Sequence, residues 1–307
     1  MGDPLDGLPR FVVDLYVHGS PDLIERIDDD VALAASLRDT GVAAAVHRNH
    51  FGSTAERARI TESVTGYPLL GAVTCADTIG GLNPVAVEYA LEMGARWVTL
   101  PTLSARHHRE RISNVPPSAR AGVAFGPAQL RLTDDGGRLL PAVSEIVELA
   151  RVADVPVNLG YSSFDECAAV LTAHRGEASF VVTNPLSTSG WSVDDVDDLA
   201  TVAAGSLFVE MTGFSHHVAA GRGLGERWLE ELRAVVGAVG SDRVVLSSDS
   251  GMVGAPRSAE LLATTCRRLA RGGVTEDQLE RFVGHTPARL VNWPELRSAA
   301  SEQHQLR

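Results

Sequence analysis

The sequence predicts a single (β/α)8 barrel, and three observations carry the prediction. Eight short apolar, β-branched runs recur along a chain of 307 residues. Amphipathic segments with helical spacing fall between those runs. The runs are near-continuously apolar rather than alternating, as parallel strands buried on both faces require. A doubly wound sheet is the competing architecture, but eight strands without a glycine-rich phosphate-binding turn favour the closed barrel. The barrel is expected over residues 1–295, with a long insertion or lid at 103–139 and a polar tail at 296–307.

The elements follow in order. The first strand is read at 11–18 (FVVDLYVH), the second at 42–48 (VAAAVHR) and the third at 69–75 (LLGAVTC). The fourth falls at 96–102 (RWVTLPT), the fifth at 155–161 (VPVNLGY) and the sixth at 179–184 (SFVVTN). The seventh is placed at 206–212 (SLFVEMT) and the eighth at 243–249 (RVVLSSD). Helix 163–173 opens on Ser163 and Glu166, the spacing of a capping box. Helix 226–239 carries Trp228, Leu229, Leu232, Val235, Val236 and Val239 on one stripe. Leu261, Leu262, Thr265 and Leu269 do the same in helix 257–270, and Thr275 with Gln278 caps a further helix. The connection 103–139 is too long for a plain loop. It holds Arg106, His107, His108, Arg109, Arg111 and Arg120, then a hairpin at Asp134–Gly137. A lid and an oligomer contact are both open readings of it.

Composition narrows the function classes. The chain is 44% hydrophobic and 21% charged, with net charge −12. That balance argues against nucleic acid or an anionic membrane as partner. No apolar stretch is long enough to span a bilayer, and the acidic start MGDPLDGLPR is unlike a signal peptide. Cys75, Cys167 and Cys266 are widely spaced and odd in number, which suits a reducing cytoplasm. All 27 basic residues are arginine. Lysine chemistry is therefore excluded: no Schiff base and no carboxylated lysine bridging two metals. A homodimer is the base-rate expectation for assembly.

Chemistry in a barrel gathers at the C-terminal ends of the strands. Those ends carry Tyr16 and His18, then Arg48 and His50, then Thr102, Tyr161, Asn184, Glu210 and Asp249. Strand alternation places Tyr16 and His18 on one face, and Arg48 with His50 on another. His108 in the long connection and His217 after the seventh strand are further candidates for substrate contact. His47 reads as a structural histidine facing the helices. So many polar groups at the ends of apolar strands are costly to bury unless they serve a site.

The segments DLYVHGSPD, HRNHFGSTAERA, GAVTCADTIGGLNPVAVEYAL, GYSS, VVTNP and LSSDSG together resemble a small metal-dependent-hydrolase-like branch of the amidohydrolase superfamily. The resemblance spans roughly residues 12–249. It implies a barrel with metal ligands on strands one, five, six and eight, beginning with a His-x-His pair, and often a lysine on an earlier strand. Carried over, those positions hold Tyr16, His18, Arg48, Tyr161, Asn184 and Asp249. Only His18 and Asp249 keep ligand types. Arg48 is a permanent cation, and a catalytic Zn²⁺ usually needs three protein ligands.

The expectation is a metal-independent enzyme with no cofactor, zinc or another divalent metal being the open alternative. His18 would be the general base or acid, with Asp249 as its partner or as a base itself. Arg48 would bind a substrate carboxylate or oxyanion, and Tyr16 and Tyr161 would donate to a carbonyl. Asn184, His50, Glu210, His108, Thr102 and His217 would contact a small carboxylate- or carbonyl-bearing molecule. Hydrolysis, elimination, isomerisation and cyclisation all fit, in a specialised biosynthetic pathway by analogy. A non-catalytic binding descendant remains the alternative class. A metallohydrolase using His18, Asp249 and a shifted His50 or Glu210 is the third reading.

Overall fold

A computed structural model describes residues 5–112 and 129–292. Eight parallel strands run in sequence order: β1 (Val13–Val17), β2 (Ala44–His47), β3 (Leu69–Thr74), β4 (Ala95–Thr99), β5 (Val157–Asn158), β6 (Phe180–Thr183), β7 (Leu207–Thr212) and β8 (Val244–Ser247). The sheet closes on itself just past the last strand. His18 N–H donates to the Ser250 carbonyl at 2.9 Å, and Asp249 N–H to the Tyr16 carbonyl at 2.8 Å. Closure rules out the doubly wound sheet, which leaves two free edges.

Twelve α-helices lie among the described residues: α1 (Asp30–Asp39), α2 (Ala55–Thr65), α3 (Pro84–Glu92), α4 (Arg106–Ile112), α5 (Pro141–Val152), α6 (Phe164–Ala173), α7 (Val193–Ala203), α8 (Gly213–Gly221), α9 (Gly225–Val239), α10 (Ser258–Arg271), α11 (Glu276–Glu280) and α12 (Thr286–Leu290). Their starts are written locally. Asp29 accepts from Ala32 N–H to cap α1, and Asn83 followed by Pro84 opens α3. The Ser163–Glu166 box caps α6 and the Thr275–Gln278 box caps α11, as their spacing predicts. The α9 stripe is buried at Trp228, Leu229, Leu232, Val235 and Val239.

After β4 the chain forms α4, and a hairpin stands where the sequence predicts one. Asp134 N–H donates to the Arg138 carbonyl at 2.9 Å, and Gly137 N–H to the Asp134 carbonyl at 3.0 Å. Arg120 and the tail 296–307 lie outside the described residues.

Two apolar layers hold the molecule together. One lies between sheet and helices. The other fills the barrel with Val13, Leu15, Ala44, Val46, Leu70, Ala72, Trp97, Val181, Phe208 and Val245, plugged from below by Ala288, Leu290 and Val291. Strand alternation then decides what sits above that plug. Two residues past Val46, Val181, Phe208 and Val245 come Arg48, Thr183, Glu210 and Ser247. The layer under the mouth is therefore polar.

β1 departs from strict alternation. Asp14 pairs with Ala45 but Val17 with His47, so β1 carries one extra residue there. Such a bulge reverses the side-chain phase. Leu15 fills the barrel, the Tyr16 ring meets inward-facing Arg48, and Val17 joins the outer layer. The bulge thereby turns Tyr16 and His18 toward the mouth, with ring centroids 5.0 Å apart.

Candidate active site

The site begins with a histidine held in one orientation. His18 Nδ1 lies 2.7 Å from the Arg48 carbonyl. A carbonyl only accepts, so Nδ1 carries the proton and Nε2 is the free, basic nitrogen. Nε2 faces Asp249 Oδ1 at 3.4 Å. Asp249 follows β8 with φ +55, in the left-handed region that Asp tolerates better than most residues. The approach of the chain from behind is also fixed. A Cβ on Gly251 would lie 2.4 Å from the His18 carbonyl oxygen, so only glycine lets the β8 loop pack there.

Burial pushes the two members of this pair toward neutrality from opposite sides. His18 is held well below its usual 6.5, chiefly by desolvation and then by the positive charge of Arg26. The Asp249 carboxyl is pushed up from 3.8 to about 7, chiefly by desolvation. Burial thus favours a neutral imidazole on His18 and a protonated carboxyl on Asp249, 3.4 Å apart.

Aromatic and imidazole rings surround the pair. His50 lies 5.4 Å from His18 and 6.0 Å from Tyr161, measured between ring centroids, and Tyr161 lies 5.0 Å from His108. His50 Nδ1 pairs with the Thr102 hydroxyl at 3.0 Å. Burial pushes His50 well below 6.5, and His108 down to about 4. The Tyr16 phenol, raised well above 10 mainly by burial, shares a hydrogen bond with the Tyr161 phenol. Burial also raises Tyr161, to about 12. Tyr161 therefore keeps its proton at physiological pH.

Beneath these rings lies the polar layer. Glu210 Oε2 accepts from Arg48 Nη1 at 2.7 Å, Arg48 Nη2 at 2.9 Å and Thr183 Oγ1 at 2.6 Å. Its Oε1 accepts from Ser247 Oγ at 2.7 Å, and Asn158 donates to Thr183 at 2.7 Å. The Arg48 guanidinium also packs 3.7 Å from the Tyr16 ring centroid and 4.5 Å from that of Trp97.

These placements revise several expectations. Sequence assigns Arg48 to a substrate anion, but its Nη1 and Nη2 both donate to Glu210 Oε2, and both side chains are buried. Sequence assigns Glu210 to substrate contact or to a shifted metal site, but both its oxygens are engaged below the mouth. Asn184 has both ends of its amide on Thr212, donating to Oγ1 and accepting from N–H, each at 3.0 Å. Thr212 in turn hydrogen-bonds Asp249, so Asn184 acts one step away from the carboxylate. His217 is exposed, while its neighbour His216 is buried against Thr265 and Trp228. His47 accepts from Gly19 N–H and sits by Asp30, a structural role as read. Trp97, Asn158, Thr183 and Ser247 are absent from the candidates that sequence alone picks out. Their inward phase on the strands is the signal that could have found them.

The donor set does not suit a divalent metal. Of the six positions carried over from the family resemblance, His18 and Asp249 alone are ligand types. Among the described residues, no three His, Cys, Asp or Glu side chains are grouped to hold an ion. No helix among them is long and apolar enough to cross a membrane.

Solved structures with the same fold are numerous. An amidohydrolase from Pseudomonas aeruginosa superposes with a TM-score of 0.59 at 15% identity, covering 94% of this chain and 97% of that one. A probable 2-pyrone-4,6-dicarboxylic acid hydrolase from Acinetobacter baumannii, with citric acid bound, gives 0.57 at 10% identity, covering 92% and 99%. A 2,6-dihydroxybenzoate decarboxylase complexed with 2,6-dihydroxybenzoate gives 0.54 at 10% identity, covering 93% and 99%. No curated protein matches the sequence. The profile of a family described as "Family of unknown function (DUF6282)" matches residues 11–207, well over half of the chain. The chain belongs to that family of unknown function, DUF6282, and it carries the barrel fold of the amidohydrolases.

Proposed function

We propose that this protein is an acid–base enzyme that works without a bound metal on a small, ring-shaped, carbonyl- or carboxylate-bearing molecule. The His18–Asp249 pair carries the reading. A histidine whose free nitrogen faces a carboxyl raised to about 7 can take and return a proton near neutral pH. Tyr161 then supplies the hydrogen bond to the carbonyl oxygen as negative charge develops on it. The rings of Tyr16, His18, His50, Tyr161 and His108 give a flat ligand flat faces to lie against. Proteins of the same fold are named for a pyrone dicarboxylate and a dihydroxybenzoate, both small ring carboxylates, which agrees with that choice.

Arg48 is assigned the task of a buried support. It braces the Tyr16 ring from below and leaves its positive charge with Glu210. The proton is moved by His18 and Asp249, and the phenols hold the oxygen.

The test works whatever product is formed. Lactones, pyrones and hydroxybenzoates are incubated with the enzyme in D₂O, and both turnover and deuterium uptake next to the carbonyl are followed by proton NMR. His18→Asn and Asp249→Asn are each expected to lower the rate by about 10²–10⁴-fold. Wild-type rates in both variants would sink the assignment.

A further inference from the structure

One cation at the mouth is left with hydrogen-bonding capacity to spare. Arg26 lies on the loop after β1, and its side chain is 1% exposed. Its Nε donates to Asp22 Oδ2 at 2.8 Å, and the Asp22 side chain is likewise sealed, at 0% exposed. The other end of the guanidinium is poorly served. Nη1 rests 3.3 Å from the Met252 sulfur, a weak acceptor, and Nη2 has no hydrogen-bond partner among the described residues. A buried guanidinium with idle N–H groups is costly to the empty protein, and such groups call for an explanation.

The surroundings supply one. Arg26 pairs in an antiparallel bridge with Met252, and Ile27 N–H donates to the Gly251 carbonyl at 3.0 Å. The β1 loop and the β8 loop thus close around the His18–Asp249 pair from one side. The bridge sets Arg26 beside the Gly251 segment that packs on His18, and its charge bears on His18, His50 and Asp249. Arg48 already gives two of its N–H groups to Glu210, whose charge offsets its own.

We propose that Arg26 is the anion-recognition residue of this site. A carboxylate on the substrate takes Nη1 and Nη2 as a fork, displaces the Met252 thioether, and is held beside His18 and Asp249. Methionine suits the displaced role, since its unbranched side chain swings at small cost. The planar fork matches two carboxylate oxygens, which a lysine ammonium would not. This assignment rests on the acid–base reading of the same mouth, and it selects ring carboxylates over their neutral analogues.

Benzoate and its neutral isostere benzamide are the probes, with affinities measured by calorimetry on the intact chain. Wild type is expected to prefer benzoate by at least about tenfold. Replacing the pair together, Arg26→Gln with Asp22→Asn, leaves no buried charge stranded. It should abolish the preference by weakening benzoate alone. Met252→Ala keeps the ion pair and exposes the fork, so it should tighten benzoate a few-fold and leave benzamide unchanged. Equal wild-type affinities, or a preference that survives the double substitution, would overturn the proposal. The two readings fail separately. Selectivity that depends on Arg26 in a protein without turnover removes the acid–base reading and keeps the anion site. Turnover that depends on His18, with selectivity indifferent to Arg26, does the reverse.

Discussion

Burial lowers the His18 imidazole and raises the Asp249 carboxyl, and those two shifts can be read as stability. The raised Asp249 carboxyl contributes stability that is full below its unfolded pKa of 3.8 and lost as pH rises through about 7. The depressed His18 imidazole contributes stability that is full above 6.5 and lost as pH falls toward its lower folded value. Between the lowered His18 value and 6.5 the two slopes oppose each other. Asp249→Asn leaves the histidine slope alone, so that variant should gain stability relative to wild type as pH rises through this window. His18→Asn leaves the carboxyl slope and should lose stability over the same window. Each slope is bounded by about 1.4 kcal/mol per pH unit. Urea denaturation of the three proteins at several pH values checks this, and variants that simply parallel wild type would refute the opposed shifts. The Arg48–Glu210 pair makes a different prediction. Arg48→Met strands a fully buried carboxylate and should cost about 3–5 kcal/mol of fold stability. Arg48→Met with Glu210→Leu should recover much of that loss, which a double-mutant cycle in urea would measure.

At the scale of elements, a side chain that serves two structures at once is the point of leverage. Glu166 closes the α6 capping box, accepting from Ser163 N–H at 3.0 Å and Ser163 Oγ at 3.1 Å through Oε2. Its Oε1 accepts from Leu132 N–H at 2.8 Å, which ties the long connection after β4 to α6. Ser163→Ala removes the cap alone and should cost about 1 kcal/mol. Glu166→Ala also strands a buried N–H, so about 2–3 kcal/mol is expected. Equal thermal shifts for the two variants would show that the second bond carries nothing. The capping half of this arrangement is legible in the sequence, since it depends on residues three apart. The Leu132 half is not, because it joins positions 34 apart. The same distinction runs through the site. Parallel strands announce themselves as apolar runs, so all eight can be read from the sequence with His18 and Asp249 at their ends. The β1 bulge leaves no compositional trace. The Arg48–Glu210 pairing joins side chains separated by 162 residues, across the barrel from β2 to β7. An arginine at a strand end reads as ligand-binding until the facing carboxylate is seen.

The whole molecule is a barrel whose interior changes character with height. Apolar residues from Val13 to Val245 fill the lower part, and the Arg48, Thr183, Glu210 and Ser247 layer lies above them. The ring-lined mouth comes last. This order places the Arg48–Glu210 ion pair against the Tyr16 ring at the base of the mouth. Among the described residues no three side chains of ligand type are grouped to hold a metal ion at the mouth, where three are usually needed. The proposal of metal-independent chemistry therefore has a consequence for the whole protein. A ligand that binds the folded state raises its stability with the logarithm of its concentration, by about 2.7 kcal/mol at one hundred times its dissociation constant. Micromolar Zn²⁺, Mn²⁺ or Fe²⁺ should leave the melting temperature of the purified protein unchanged, and EDTA should leave both melting and turnover unchanged. Elemental analysis should find less than one metal per chain. A metal-dependent rise of several degrees, together with turnover lost to EDTA and restored by that metal, would mean that His18 and Asp249 act as ligands, and the metal-independent acid–base mechanism would have to be abandoned.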